Sequence, residues 1–244
     1  MMMETELDKI LNRIKKAKEF KEQNDLLLNF EDYLLGIKPE ERDAGTNFSR
    51  LPKDGRRGEL WFRNKLLWLK TIPLEKEVAF VSLHSETGGY YQGKAGKFSA
   101  DLLGVWRNVR TTQFAVAELK AAKSGDPIFY AVAEGLRNVY LHWLNVKRLS
   151  FDWGEWMRRC VKNGTMRKSV WMNGNPFNRI DSKNIRLLII GDDSWIRNQR
   201  SCIKAVPALI KLGKINVYIS VYSLNDGGKH SSKPYALLPL KKIL

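Results

Sequence analysis

Two charged residues, Glu118 and Lys120, stand in the otherwise apolar segment 114–122. An apolar run of this length predicts a strand that is covered on both faces of a sheet. Because residues two apart on a strand share a face, both charged side chains point the same way. An unpaired buried charge is strongly unfavourable, so the strand requires partners for these charges on that face.

Asp101 supplies a second carboxylate. Residues 97–106 predict the preceding strand and residues 108–111 a short turn. If the turn is centred between Val109 and Arg110, Asp101 lies opposite Glu118, with Cβ atoms about 4.5–5.5 Å apart. Two carboxylates at that distance repel each other unless a cation lies between them. Mg²⁺ or Mn²⁺, which prefer hard oxygen ligands, meet this requirement, and Lys120 adds positive charge beside them.

An Asp on one strand, Glu-x-Lys on the next and a helix after it resemble the core of the PD-(D/E)xK nuclease superfamily, also called restriction-endonuclease-like. The resemblance covers about residues 56–143 and, more loosely, the later strand–helix–strand. Glu59 matches a further acidic residue that members often carry in the helix before the sheet. Two departures are Ala100, where the motif's name has Pro, and the lack of Gln-x-x-x-Tyr in the following helix.

The resemblance implies an α/β fold with a mixed central sheet flanked by helices, and a metal-dependent endonuclease that cuts DNA in preference to RNA. It implies that Asp101, Glu118 and the backbone carbonyl of Leu119 hold the metal. Lys120 would orient or deprotonate the attacking water, or neutralise developing charge, and Glu59 would be an outer carboxylate. The alternative is a non-catalytic nucleic-acid-binding module on the same fold, accessory to a larger DNA-processing complex.

Each of these residues also has a structural interpretation. Glu118 and Lys120 could form a structural ion pair, and Asp101 could cap the start of a strand. Glu59 would stabilise the first turn of a helix whether or not it takes part in catalysis. Tyr130 and Glu134, on the helix after the motif, are predicted at the surface rather than behind the site.

The charge distribution indicates a polyanionic partner. The net charge is +16, and residues 1–45 hold 8 basic and 11 acidic side chains, which leaves 34 basic and 15 acidic residues for the remainder. Such an excess favours salt-dependent binding of nucleic acid. The basic residues predicted to contact it are Arg56, Arg57, Lys94, Lys97, Arg107, Arg110, Lys123, Arg158, Arg159, Arg167 and Lys168.

Other classes of protein are not indicated. No window approaches about 18 uncharged apolar residues, so no membrane span is predicted, and the N-terminal residues lack the pattern of a secretory signal. Cys160 and Cys202 are far apart, as expected of reduced thiols in a cytoplasmic protein. The three histidines lack zinc-ligand spacing, and Asp192 with Asp193 is interpreted as a helix cap.

The chain is predicted to have two parts. Residues 1–45 form helices at 4–23 and 25–35, as a cover for the core or as an arm for a homodimer. Residues 46–244 form the nuclease-like α/β domain. A basic, aromatic-rich insert at 151–184 would either bind nucleic acid or close over the sheet.

Several elements are predicted within residues 46–244. A helix occupies residues 59–70, a strand 78–84 and a glycine-rich turn 86–96. Asp126 caps a helix that Pro127 opens and that extends to Trp143. A strand at 185–191, a helix at 194–212 that Pro207 kinks or interrupts, and a strand at 215–224 form a parallel unit. Residues 235–240 are predicted as an edge strand.

Overall fold

A computed structural model describes residues 6–35, 39–40, 63, 66, 71–91, 98–143, 180–224 and 240–244. It is a mixed α/β structure in which helices flank a curled mixed sheet. The described strands are β1 (Pro39–Glu40), β2 (Thr71–Glu75), β3 (Val78–Tyr91), β4 (Phe98–Arg107), β5 (Thr112–Lys120), β6 (Ile180–Asp192), β7 (Leu209–Leu212), β8 (Ile215–Leu224) and β9 (Lys241–Lys242). The helices with described bounds are α1 (Glu6–Lys16), α2 (Phe20–Leu28), α3 (Phe30–Leu35), α4 (Ile128–Trp143), α5 (Asp193–Asn198) and α6 (Arg200–Ile203).

The sheet is antiparallel at one side and parallel at its centre. Its strand order is β1-β3-β4-β5-β6-β8-β7, with β2 paired to β3 and β9 paired to β8. Pairing is antiparallel from β1 to β5, parallel for β5–β6 and β6–β8, and antiparallel for β7 and β9. The predicted parallel pairing of β6 with β8 is therefore confirmed.

The hairpin of β4 and β5 has the predicted register. Leu102 pairs with Ala117 and Arg107 with Thr112, which centres the turn between Val109 and Arg110. The Asn108 side chain stabilises the turn, because its Oδ1 accepts the backbone N–H groups of Arg110 at 2.9 Å and Thr111 at 2.7 Å. Such local hydrogen bonds are typical of Asn in turns.

Helix α4 covers the first face of the sheet. Its buried residues pack with Phe114 and Val116 of β5 and with alternate residues of β6 and β8. Gly135 allows this close approach, since a Cβ there would overlap the side chain of Leu187. Helices α1–α3 lie over α4 and share its hydrophobic core, so the N-terminal helices act as a cover.

The second face of the sheet has its own core. Leu102, Ala117 and Leu119 face this side, together with Leu188 and Ile190 of β6. Their packing partners include Leu66, Ile72 and Leu74, all of which are almost completely buried. Residues 118 and 119 therefore point into different environments, and Glu118 and Lys120 lie on the α4 side.

Three predicted elements differ from the structure. The N-terminal helix ends at Lys16 rather than near residue 23, and the Gln23 side chain donates to the free carbonyl of Ala17 at 2.7 Å. The predicted helix 25–35 is likewise interrupted, at Asn29 between α2 and α3. Residues 86–91 of the turn predicted at 86–96 instead belong to β3, which continues to Tyr91 through its pairing with β4 and β1.

The helix predicted at 194–212 is also wrong. It consists of the short helices α5 and α6, and the chain after Pro207 forms β7. Proline cannot donate a helical hydrogen bond, and residues 209–212 instead pair with β8. Gly213, with φ of +58°, supplies the left-handed conformation that the tight turn between β7 and β8 requires.

Some predictions fall on residues that the structure does not describe. These are most of the helix 59–70, the insert as far as residue 179, and residues 235–239 of the predicted edge strand. Among the described helices, none is long and apolar enough to span a membrane.

Candidate functional site

Asp101 and Glu118 lie where β4 and β5 separate. The described pairing of these strands ends at Leu102 and Ala117. Beyond this point, which we call the fork, β4 follows β3 and β5 follows β6, with Glu118 opposite Ile189. Asp101 Oδ2 accepts the backbone N–H of Leu119 at 2.8 Å. The carboxylate thus satisfies a donor of β5 at the position where the backbone of β4 has moved away.

Glu118 is nearly inaccessible to solvent, with 3% of its surface exposed. Its Oε1 accepts a hydrogen bond of 2.6 Å from Asn138 Nδ2 of α4. Burial raises the pKa of Glu118 well above its usual range, and the carboxylates of Asp101 and Glu134 raise it further. The fold therefore holds Glu118 among like charges in a position where its ionised form is unfavourable.

Lys120 is paired with carboxylates beyond β5. Its Nζ lies 3.0 Å from Glu134 Oε2 and 3.3 Å from Asp126 Oδ2. Burial alone would lower its pKa, but the attraction of Glu134, Glu118 and Asp126 outweighs burial, so the pKa of Lys120 is raised. Lys120 is consequently a fixed cation at neutral pH, which favours charge neutralisation over proton abstraction.

Helix α4 contributes more to the site than the sequence predicts. Glu134, predicted at the surface, has only 20% of its side chain exposed and pairs with Lys120. Tyr130 is half-buried on the same face, and burial followed by the charge of Glu134 raises its pKa. The i, i+4 spacing of residues 130, 134 and 138 was the available signal, because it places them on one side of a helix.

The carboxylate of Asp126 links the site to α1. It was predicted to cap α4, but it accepts from Lys15 Nζ at 2.8 Å and from Lys120 Nζ at 3.3 Å. Burial would raise its pKa, yet the hydrogen bond from Lys15 and the charge of Lys120 leave it lowered. At the start of α4, Gln199 Oε1 accepts the N–H of Ile128 instead.

The donor atoms at the fork match a hard cation. Asp101, Glu118 and the Leu119 carbonyl offer only oxygen, the ligand type that Mg²⁺ and Mn²⁺ prefer. Within the described ranges, no group of three or more His, Cys, Asp and Glu side chains is arranged to hold a metal ion. Because Mg²⁺ usually keeps several water ligands, two carboxylates suffice as the protein's charged contribution.

The remaining predicted site residues are placed as follows. Arg107 and Arg110 lie at the turn of the hairpin, about 20 Å along β4 from the fork at 3.3–3.4 Å per residue. Lys123 is exposed in the turn after β5, three residues beyond Lys120. Outside the described residues are Glu59, Arg56, Arg57, Lys94, Lys97, Arg158, Arg159, Arg167 and Lys168.

Asp192 follows its predicted role. Its carboxylate accepts the backbone N–H of Ser194 at 2.9 Å and caps α5. The capping function explains this acidic residue without a metal.

Comparison of the chain with protein-family models, with curated proteins and with solved structures gave no match. Function is therefore inferred from the residues and their geometry.

Proposed function

We propose that this protein is a metal-dependent endonuclease that hydrolyses phosphodiester bonds, in DNA rather than RNA. The observation that carries the proposal is the meeting of Asp101 and Glu118 at the fork, on the same face as Lys120. The PD-(D/E)xK superfamily has this order of residues on two neighbouring strands. The hairpin register, the mixed sheet and the helix after the motif support the resemblance.

Asp101, Glu118 and the carbonyl of Leu119 would hold Mg²⁺ or Mn²⁺. Such an ion lowers the pKa of a bound water and polarises a phosphate oxygen. Asn138 fixes the carboxylate of Glu118 through its hydrogen bond of 2.6 Å. Lys120 supplies positive charge for the phosphate as negative charge develops in the transition state. Glu59 would act as an outer carboxylate, as the resemblance implies.

The surface charge supports a nucleic-acid substrate. A net charge of +16 attracts a polyanion over long range and predicts that binding weakens as salt is added. Of the described predicted contacts, Lys123 is the one nearest in sequence to the fork, and its side chain is exposed.

A second function, a non-catalytic nucleic-acid-binding module, is favoured by a different observation. Asp101 and Glu118 are only 9% and 3% exposed, and Lys120 is held by Glu134 and Asp126. In this interpretation the charged residues stabilise the junction of α4 with the sheet. Binding would then occur on the basic surface without cleavage.

Cleavage assays distinguish the two functions. Supercoiled plasmid, single-stranded DNA and RNA are incubated with the protein in Mg²⁺ or Mn²⁺, beside Asp101→Ala and Lys120→Ala variants. Asp193→Ala serves as a control because it removes a half-exposed carboxylate from α5. The parent and the control are expected to cut DNA, while both site variants lose at least about 100-fold in rate and retain salt-sensitive binding.

Two results would contradict the proposal. Binding without metal-dependent cleavage of any of the substrates would favour the non-catalytic module. Equal cleavage by the parent, Asp101→Ala and Lys120→Ala would place the active site elsewhere in the chain.

A further inference from the structure

A second group of polar and aromatic residues crosses the sheet on the face opposite the fork. Trp106, Gln113, Arg186 and Tyr218, which we call the Arg186 cluster, lie on the adjacent strands β4, β5, β6 and β8. Trp106 pairs with Gln113 and Arg186 with Tyr218 in the strand registers. They alternate with residues that face α4 and share the side of Leu188 and Ile190.

The guanidinium of Arg186 is held between two rings. Its Cζ lies 4.2 Å from the ring centroid of Trp106 and 4.7 Å from that of Tyr218. Its Nε donates to Gln113 Oε1 at 2.6 Å, and Gln113 is only 7% exposed. Because the partner amide is buried, the plane and direction of the guanidinium are fixed before any ligand binds.

Among the described residues, Arg186 has no carboxylate partner. Within the part of the chain that the structure describes, Arg186 forms no ion pair, its hydrogen bond is the one from Nε to Gln113, and its side chain is only partly buried. The nearby acidic residue is Glu75, whose Oε1 accepts from the Tyr222 hydroxyl at 3.1 Å and pairs with Lys242 at 3.4 Å. A charge without a counterion in a half-buried position is uncommon, since burial of an unpaired charge is unfavourable.

The end of the sheet beside Arg186 is basic. The strand registers bring the C-terminal end of β4 to the N-terminal ends of β5, β6 and β8. The basic residues at this end are Arg107, Arg110, Lys183, Lys211 and Lys214. Acidic residues at the same end include Asp181, Glu31 and Glu77. The carboxylate of Asp181 is engaged by Asn184 Nδ2 at 2.6 Å and by the N–H of Lys183 at 2.9 Å, and Glu31 Oε1 accepts the N–H of Gly213 at 2.9 Å.

We propose that Arg186, oriented by Gln113 and flanked by Trp106 and Tyr218, binds a phosphate group of a nucleic-acid strand on the sheet face opposite Asp101 and Glu118. The free N–H groups of a planar guanidinium can donate two parallel hydrogen bonds to two phosphate oxygens. The rings hold the cation without neutralising it. A strand is favoured over a single phosphate because the basic end of the sheet continues the positive charge beyond Arg186.

This site does not depend on cleavage. Gln113 and Glu118 are separated by about 16 Å along β5 at 3.3 Å per residue, and their side chains lie on opposite faces. If the phosphate site is lost, binding weakens, but the rate of cleavage at saturating substrate does not change. If the protein is not a nuclease, no cleavage is observed, but Arg186 still binds the phosphate.

The test uses a fluorescently labelled single strand of about 30 nucleotides, with binding followed by anisotropy at several salt concentrations. Arg186→Gln is expected to raise Kd by about 10-fold and to reduce the salt slope by about 1. Arg186→Lys, which keeps the charge but loses the planar guanidinium group, is expected to raise Kd by about 3-fold or more. The matched control is Arg197→Gln, which removes an exposed arginine of α5 and is expected to leave Kd within about 2-fold.

A second measurement uses the wild-type chain, so it does not depend on the folding of a variant. The Nε–H resonance of Arg186 is followed by NMR while the oligonucleotide, inorganic phosphate or polyglutamate is added. The proposal predicts saturable shifts with the oligonucleotide at much lower concentrations than with inorganic phosphate or polyglutamate. No shift, equal potency of inorganic phosphate, or equal potency of polyglutamate would overturn it, as would oligonucleotide binding by both Arg186 variants equal to that of the parent.

Discussion

The ammonium of Lys120 lies 3.0 Å from Oε2 of Glu134, so the lysine of the Glu-x-Lys triplet is tied to helix α4. On the same helix, Asn138 donates to Glu118 at 2.6 Å. Helix α4 therefore positions both charged residues of β5, through Glu134 and Asn138, which lie one helical turn apart. The candidate site is built by a strand and a helix together, and displacement of the helix should disturb both charges at once.

The ion pair of Lys120 and Glu134 predicts a large effect on stability. Lys120→Gln removes the cation 3.0 Å from Glu134 and leaves it Arg137 at 3.9 Å, beside the buried Glu118, so the free energy of unfolding should fall by about 3 kcal/mol. The measurement is urea unfolding of the single variants and of Lys120→Gln with Glu134→Gln. The double variant should recover part of the loss, because no charge of the pair is then left alone.

An exposed ion pair provides the control for that cycle. Lys9 and Glu6 of α1 are 2.6 Å apart with side chains 52% and 73% exposed. Lys9→Gln should change the free energy of unfolding by less than about 0.5 kcal/mol. A similarly small effect of Lys120→Gln would contradict the role assigned to the buried pair.

The raised pKa of Glu118 predicts a dependence of stability on pH. The folded chain binds this proton more tightly than the unfolded chain, so stability falls as the pH rises from the usual glutamate range to the raised pKa. Glu118→Gln removes this loss and keeps the acceptor for Asn138. Without divalent metal, the variant should unfold at higher urea concentration than wild type at neutral pH, and the difference should vanish in acid.

Urea titrations between about pH 4 and 8 in a chelator check this prediction. Glu22→Gln, on the exposed side of α2, is the control for loss of one carboxylate. A Glu118→Gln variant that is less stable than wild type at neutral pH would show that the ionised carboxylate stabilises the fold.

The close contact of α4 with β6 predicts the effect of adding one methyl group. In Gly135→Ala the new Cβ overlaps Leu187, so the variant should be less stable by about 1–3 kcal/mol despite the higher helix propensity of alanine. Gly125→Ala is the control, because no atom beyond its two chain neighbours lies within 4 Å of the position that its Cβ would take, and it should stay within about 0.5 kcal/mol of wild type. Thermal unfolding of both variants measures this difference, and equal stability of the two variants would contradict the close packing of Gly135 against Leu187.

The sequence predicted those elements whose signals are local. The β4–β5 hairpin followed from two apolar runs around the Asn108 turn, and β8 follows from a run of β-branched and aromatic residues. The helix expected at 194–212 was wrong because residues 209–212 also fit a helical pattern, and their state is decided by pairing with β8. Strand formation there depends on the packing and pairing of residues 209–212 in the sheet, which local propensity does not decide.

The polar partners of the site were missed for a related reason. A Glu on an amphipathic helix, such as Glu134, is usually expected to face solvent. Its partly buried position depends on the ion pair with Lys120, which lies 14 residues earlier in the sequence. Arg186 was missed for the same reason, because its partners Trp106, Gln113 and Tyr218 come from three other strands, distant in sequence. Glu118 and Lys120 were identified from the sequence because two charged residues are unexpected in an otherwise apolar strand.

Binding of Mn²⁺ tests most directly whether Asp101 and Glu118 form a metal site. Electron paramagnetic resonance of free Mn²⁺ is recorded as wild type, Asp101→Asn, Glu118→Gln and the Asp193→Asn control are titrated with a bound oligonucleotide present. We expect wild type and the control to remove Mn²⁺ from solution with the same affinity, and both site variants to bind at least about 10-fold more weakly. Equal binding by all four proteins, or none by wild type, would contradict a metal site at the fork.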